Sequence, residues 1–162
     1  LDLAMNNPRV TKVLTTGAMG AKFLANRFTR MCWTFPETRE ELRQVIESLV
    51  YDKSIVTNEL LDARMKILHD GIYGPYFKSM FQGDKQRYID TAVLSEELLK
   101  KLSCDVVLMH GRNDLPFPYR ENSLALSRSI PHADINLVGN CGHSPALEHP
   151  NKFLNAAKML FD

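Results

Sequence analysis

Two stretches near the C-terminus decide the fold: Cys104–Asp114 (CDVVLMHGRND) and Ala133–His143 (ADINLVGNCGH). Each begins with a short apolar run and ends in a polar loop that contains glycine. A nearly continuous apolar run is typical of a strand buried on both faces of a parallel sheet. Because the carboxyl ends of such strands meet at one edge of the sheet, we expect Asp114 and His143 to lie side by side.

A carboxylate beside a histidine has a definite chemical use. It accepts the Nδ1 proton, fixes the ring tautomer and stabilises the imidazolium that forms when the ring takes a proton from a nucleophile. Asp114 and His143 together therefore predict an acid–base pair, although each alone would suit an ordinary loop position. Cys141 is a weaker candidate nucleophile, since a residue two positions from a loop histidine rarely faces its ring.

The amino-acid composition limits the kinds of partner that the chain is expected to bind. The chain has 162 residues, of which 44% are hydrophobic and 24% charged, the balance of a globular protein. Its 20 Lys and Arg nearly cancel its 19 Asp and Glu, and no basic run is present, so we expect no nucleic-acid partner. No apolar stretch approaches the roughly 20 residues that span a bilayer, so no membrane association is expected. Three scattered cysteines argue against a disulfide framework and favour the reducing cytoplasm.

The rest of the chain predicts an α/β protein with a helical insertion. A β-branched run, Val10–Thr16, indicates a third strand. Thr38 and Glu41 form a capping-box pattern that opens a helical stretch reaching to about Asp90. The predicted helices are the tail Leu1–Met5, two that start after Thr38 and Thr57, and then Ser95–Leu102, Arg120–Ile130 and Pro145–Phe161. Alternation of strand and helix in the last third predicts parallel crossovers.

Three motifs resemble a known fold. HGRNDLPFP (His110–Pro118), GNCGHSPALEHP (Gly139–Pro150) and the closing amphipathic helix are similar to the C-terminal part of an α/β-hydrolase, whose acid precedes its histidine along the chain. PRVTKVLTTGAMG (Pro8–Gly20) resembles the sixth strand of that fold and its loop. The resemblance implies a partial α/β-hydrolase fold, with about three parallel strands, flanking helices and an inserted helical cap. It also implies that Asp114 is the triad acid and His143 the general base.

The helical insertion carries a narrower resemblance. LVYDKSIVTNELLDARMKIL (Leu49–Leu68) and FKSMFQGDKQRYID (Phe77–Asp90) are similar to the cap of meta-cleavage-product hydrolases, which cleave a carbon–carbon bond in 2-hydroxy-6-oxo-dienoates. The match implies that residues 1–36 hold the sixth strand and a link, 37–94 the cap, and 95–162 the two C-terminal βα units. It implies substrate contact by Arg64, which could otherwise be an ordinary exposed helix arginine. Ser144 stands where the subfamily usually has Trp, so we expect it to line the substrate site with more space or a different wall.

The sequence contains no G-x-S-x-G, the pattern of the nucleophile elbow. The resemblance therefore implies a chain with acid, base and lid that is completed by an N-terminal half, another chain or self-association. The expected function is hydrolysis of a ring-fission dienoate, a small molecule, with no metal or organic cofactor. The alternatives are a carboxylesterase or other cap-bearing serine hydrolase, and a non-catalytic binding module.

Overall fold

A three-stranded parallel sheet forms the centre of the chain. The computed structural model describes all residues 1–162, and its strands are β1 (Lys12–Thr16), β2 (Asp105–Gly111) and β3 (Asp134–Val138). The order is β1-β2-β3, with Leu14 opposite Val107 and Leu108 opposite Ile135. This arrangement confirms the predicted α/β class and the parallel sheet.

The chain also forms ten α-helices. α1 (Asp2–Asn6) precedes β1. Six helices lie between β1 and β2, namely α2 (Arg27–Cys32), α3 (Arg39–Leu49), α4 (Asn58–Leu68), α5 (Tyr73–Met80), α6 (Gln86–Ala92) and α7 (Glu96–Leu99). α8 (Ser123–Ser129) joins β2 to β3, while α9 (Pro145–Glu148) and α10 (Pro150–Phe161) follow β3. None of these helices combines the length and the apolar character that crossing a bilayer requires.

The capping box predicted at the N-terminus of α3 is confirmed. The Glu41 N–H donates to Thr38 Oγ1 at 3.2 Å, and the Glu41 carboxylate accepts from the Thr38 N–H at 3.1 Å. These reciprocal bonds satisfy two backbone donors that the helix start leaves free. The predicted cap at Thr57 also forms, because its hydroxyl accepts the Leu60 N–H at 3.2 Å.

Several helix boundaries differ from the sequence prediction; the helix expected over Ser95–Leu102, for example, is only the four residues of α7 (Glu96–Leu99). The C-terminal stretch is two helices, because Pro150 has no N–H to continue the first one and keeps His149 in a non-helical conformation (φ −137°, ψ 62°). Helix α8 begins at Ser123 rather than at Arg120. Helix α2 was not predicted, although Asn26 gives a local signal for it: its side chain accepts the Phe28 and Thr29 N–H groups.

The apolar clusters lie on both faces of the sheet. On one face, Val106 and Leu108 of β2 pack with Leu126 of α8. On the other, Met109 packs with Ala156 of α10. Side chains alternate across a strand, so a strand with apolar residues at consecutive positions must be covered on both sides. A separate cluster within the helical segment joins α3 to α4 and comprises Leu42, Val50, Val56 and Leu61.

Candidate active site

The carboxyl ends of β2 and β3 lie side by side at one edge of the sheet, and hydrogen bonds connect the loops that follow them. Gly111 is paired with Val138, the last residue of β3. Beyond them, the Arg112 N–H donates to Val138 O at 2.8 Å and the Asn113 N–H donates to Cys141 O at 2.9 Å. A Cβ on Gly111 would lie 1.8 Å from Gly142 O, so only glycine allows the two loops to approach this closely.

The two loops bring Asp114 and His143 into contact. Asp114 Oδ2 lies 2.8 Å from His143 Nδ1. The Asp114 side chain is fully buried, whereas 29% of the His143 side chain is exposed. With Nδ1 donating to the carboxylate, Nε2 is the ring nitrogen free to accept a proton from a nucleophile.

A second histidine, which the sequence did not single out for this site, holds the same carboxylate. His110 Nε2 lies 3.0 Å from Asp114 Oδ2 and 2.8 Å from Phe117 O, and both atoms accept hydrogen bonds. His110 Nδ1 lies 2.7 Å from the buried Ser123 hydroxyl. The partners assign the proton to Nε2 and make the hydroxyl the donor to Nδ1. The available sequence signal was alternation, since His110 continues the buried face of Val106 and Leu108.

These contacts keep Asp114 ionised. Burial by itself raises the pKa of the carboxyl group. Hydrogen bonds from His110 and His143, together with the Phe117 N–H at 2.9 Å from Oδ1, outweigh burial and hold the pKa of Asp114 below its usual value of 3.8. The site therefore presents a fixed negative charge to the ring of His143.

Two further residues position the His143 ring. Gly17, just beyond β1, has a positive φ of 61°, and a Cβ there would lie 2.8 Å from both Cε1 and Nδ1 of His143. The Phe117 ring lies against the imidazole, with 4.9 Å between ring centroids. The absence of a side chain at Gly17 therefore leaves the space that this ring orientation needs.

Arg64 and Ser144 line one cavity of about 840 Å³, between the helical segment and the loop after β3. Of its 17 lining residues, 13 are hydrophobic. Arg64 is exposed and makes no hydrogen bond or ion pair within the chain. Asp114 and His143 do not line this cavity; Ser144, the residue after His143, connects it to the acid–base pair.

Cys141 is not placed as a nucleophile. Its side chain is fully buried, and its thiol donates to Gly142 O at 3.5 Å. Burial, followed by the charge of Glu148, raises the pKa of Cys141 to about 12, so the reactive thiolate is disfavoured. No group of three His, Cys, Asp or Glu side chains is arranged to hold a metal ion.

Known proteins resemble this chain in sequence and in fold. No protein-family model matches the chain. The chain is 28% identical over 146 residues to 2-hydroxy-6-oxo-2,4-heptadienoate hydrolase of Pseudomonas putida F1, covering 90% of this chain and 52% of the relative. It is 27% identical over 154 residues to 2-hydroxymuconate semialdehyde hydrolase of Pseudomonas sp. CF600, covering 94% and 54%. The chain thus spans about half the length of these curated relatives.

Among solved structures, the meta-cleavage product hydrolase CumD of Pseudomonas fluorescens IP01 superposes with a TM-score of 0.91 at 29% identity, covering 96% of this chain and 57% of that one. Because the match covers 96% of this chain, it extends over both the sheet and the helical segment. The chain is therefore a homologue of the meta-cleavage-product hydrolases and carries part of the α/β-hydrolase fold.

Proposed function

We propose that this chain supplies the acid and the base of a hydrolase that cleaves a carbon–carbon bond in a 2-hydroxy-6-oxo-dienoate, a ring-fission product of aromatic degradation. The observation that carries the proposal is the 2.8 Å contact between Asp114 and His143 at the ends of neighbouring strands. Homology to dienoate hydrolases supplies the substrate class.

The proposed chemistry begins with proton transfer that converts the 2-hydroxy dienol of the substrate to its keto form and places a proton on the carbon next to the 6-oxo group, so that the bond between this carbon and the 6-oxo carbon can break. His143 Nε2 then takes the proton of a serine or water that attacks the carbonyl carbon, and Asp114 stabilises the resulting imidazolium. Cleavage of the carbon–carbon bond gives a dienolate, to which His143 returns the proton, and either the carboxylic acid, where water attacked, or an acyl-enzyme, where serine attacked. A water molecule that His143 deprotonates then hydrolyses the acyl-enzyme to the carboxylic acid and regenerates the serine. Backbone N–H groups stabilise the oxyanion, and no metal or organic cofactor takes part.

We assign Arg64 to the anionic end of the substrate. Its guanidinium has no partner in the chain and lines a cavity that is otherwise mostly apolar. A guanidinium presents a rigid fork of donors that suits a carboxylate, and the apolar lining suits a hydrocarbon tail. The lining therefore fits a small molecule with one charged end, as a dienoate has.

Ser144 in the cavity lining is also compatible with a second class of substrate. A small hydroxyl in the cavity wall is compatible with an ester or another acyl compound, which makes a carboxylesterase the alternative enzyme. A full-length protein assayed with a dienoate ring-fission product and with a p-nitrophenyl ester separates the two. Faster turnover of the ester, measured as kcat/KM, would overturn the carbon–carbon assignment.

We propose that a nucleophilic serine, where one is used, lies outside the 162 residues, because they contain no elbow motif. Loss of the serine alone costs about a millionfold in kcat in a serine-protease precedent, so we expect the purified chain to show no hydrolase activity. Turnover by this chain that His143→Ala abolishes would contradict that expectation. A G-x-S-x-G in coding sequence upstream of Leu1 would support an enzyme, and its absence would favour the non-catalytic binding module.

The outer edge of β1 is the surface that we propose for the completing segment. β1 pairs only with β2, so its other edge has free backbone donors and acceptors that can recruit a further strand. The buried Thr15 hydroxyl on this strand has no hydrogen-bond partner. An N-terminal half or a second copy of the chain would pair there, and size-exclusion chromatography with light scattering distinguishes a dimer from a monomer.

We further propose a cytoplasmic location and a division of the chain into residues 1–36 (sixth strand and link), 37–94 (cap) and 95–162 (C-terminal βα units).

A further inference from the structure

Glu148, at the end of α9, connects the histidine loop to the helical segment. Its Oε1 accepts the Gly142 N–H at 2.6 Å, directly before His143. Its Oε2 accepts the Tyr51 N–H at 2.6 Å and the Asp52 N–H at 3.1 Å, directly after α3. One carboxylate therefore satisfies three backbone donors that belong to two separate parts of the fold.

Neighbouring bonds reinforce the same junction. The His143 N–H donates to Leu49 O at 2.7 Å, so the backbone of the histidine itself is held by the end of α3. On the far side, the Asp52 side chain caps the 3-10 turn Lys53–Ile55, and the Lys53 ammonium donates to Glu47 O and Val50 O. The segment that Glu148 holds is thus itself anchored to α3.

The junction also borders the cavity. Leu49, Val50 and Ile55 line it from the helical segment, and Ser144 and Leu147 line it from the other side. Glu148 lies where these two walls meet. If the helical segment moved away from the loop, the three hydrogen bonds of the carboxylate would break and the Gly142–His143 backbone would lose its support.

We propose that Glu148 is a positioning residue, which clamps the His143 loop to the helical segment and so fixes the base relative to the substrate cavity. The proposal rests on the assigned role of His143, but its test does not depend on activity. A carboxylate is required because both oxygens accept. A glutamine of the same shape has one acceptor and one NH2 group, which would face a backbone N–H on one of the two sides.

The first test compares Glu148→Gln with Glu97→Gln in the 162-residue chain. Glu97 is exposed and has no hydrogen bond, so its substitution makes the same charge change without touching the junction. In Glu148→Gln we expect amide exchange at Tyr51, Asp52 and Gly142 to accelerate by about tenfold or more. We also expect the ring N–H resonance of His143 to broaden or vanish, while that of the buried His110 persists as an internal reference.

Retention of the His143 resonance and of amide protection in Glu148→Gln, at the level of Glu97→Gln, would overturn the proposal. A second measurement needs no variant. In the unaltered chain, the amides of Tyr51, Asp52 and Gly142 should exchange with one common opening free energy, because one carboxylate accepts all three. Clearly different opening free energies on the two sides of the junction would show that Glu148 does not couple them.

Discussion

His110 and His143 donate to the same atom: their ring nitrogens lie 3.0 Å and 2.8 Å from Oδ2 of Asp114. One histidine is fully buried and the other is partly exposed. The buried His110 ring therefore holds the Asp114 carboxylate from inside the fold. The same carboxylate in turn holds the partly exposed His143 ring. This division gives His143 a fixed partner while its Nε2 remains available.

The first prediction concerns pH and Asp114. Since its folded pKa lies below the usual 3.8, the ionised carboxylate stabilises the fold above the unfolded pKa, and this stabilisation is lost as pH falls through the folded pKa. In Asp114→Asn that contribution is absent. We therefore expect the difference in free energy of unfolding between the two proteins to be constant above about pH 5 and to shrink below about pH 4. Urea titrations at a series of pH values measure it, and a difference that grows towards low pH would contradict the sign.

The second prediction concerns His110. His110→Phe leaves Asp114 without one buried donor and Ser123 without its acceptor, and each unpaired buried group costs about 1–3 kcal/mol. We expect a loss of roughly 2–4 kcal/mol in the free energy of unfolding. His69→Phe is the control, because His69 is exposed and its ring nitrogens have no hydrogen bond. Equal stability of the two variants would show that the buried network contributes nothing.

The third prediction separates backbone strain from steric displacement at Gly17. Gly17→Ala and Gly71→Ala both place a side chain at positive φ (61° and 84°), which costs roughly 1–2 kcal/mol. Only at Gly17 would the new Cβ meet the His143 ring, since nothing lies within 4 Å at Gly71. We expect Gly17→Ala to lose more stability and to shift the His143 ring resonances in NMR spectra. Unchanged His143 resonances in Gly17→Ala would argue against close contact.

The fourth prediction concerns Arg64. We expect the chain to bind a short conjugated dienoate such as sorbate, and Arg64→Gln to weaken this binding by about tenfold or more, because a hydrogen bond to a charged group contributes roughly 1.5–3 kcal/mol. Isothermal titration calorimetry measures the change in Kd. Arg128→Gln is the matched control, because Arg128 is exposed on α8, away from the cavity lining. Equal affinities of the two variants would remove Arg64 from the site.

Local pattern was enough for the parts of the fold that depend on neighbours in sequence. The apolar runs before Asp114 and His143 predict buried parallel strands, and Thr38 with Glu41 predicts a helix start, because periodicity and capping act over a few residues. The interruption of the C-terminal helix at Pro150 was also predictable from the sequence, since proline lacks the N–H that a continuous helix needs. Even the approach of Asp114 to His143 follows from topology, because parallel strands end at one edge.

The sequence was sufficient to predict the parallel sheet and to propose Asp114 and His143 as a neighbouring acid–base pair, and it contains no elbow motif. The residues that support this pair became evident only from the packing of distant segments. Gly17 matters because of an imidazole far along the chain, and Glu148 because it accepts from Tyr51, 97 residues away. Sequence patterns report only on residues that are neighbours along the chain, whereas hydrogen bonds and steric contacts act through space. The contacts of Gly17 and Glu148 therefore form only when packing brings distant segments together.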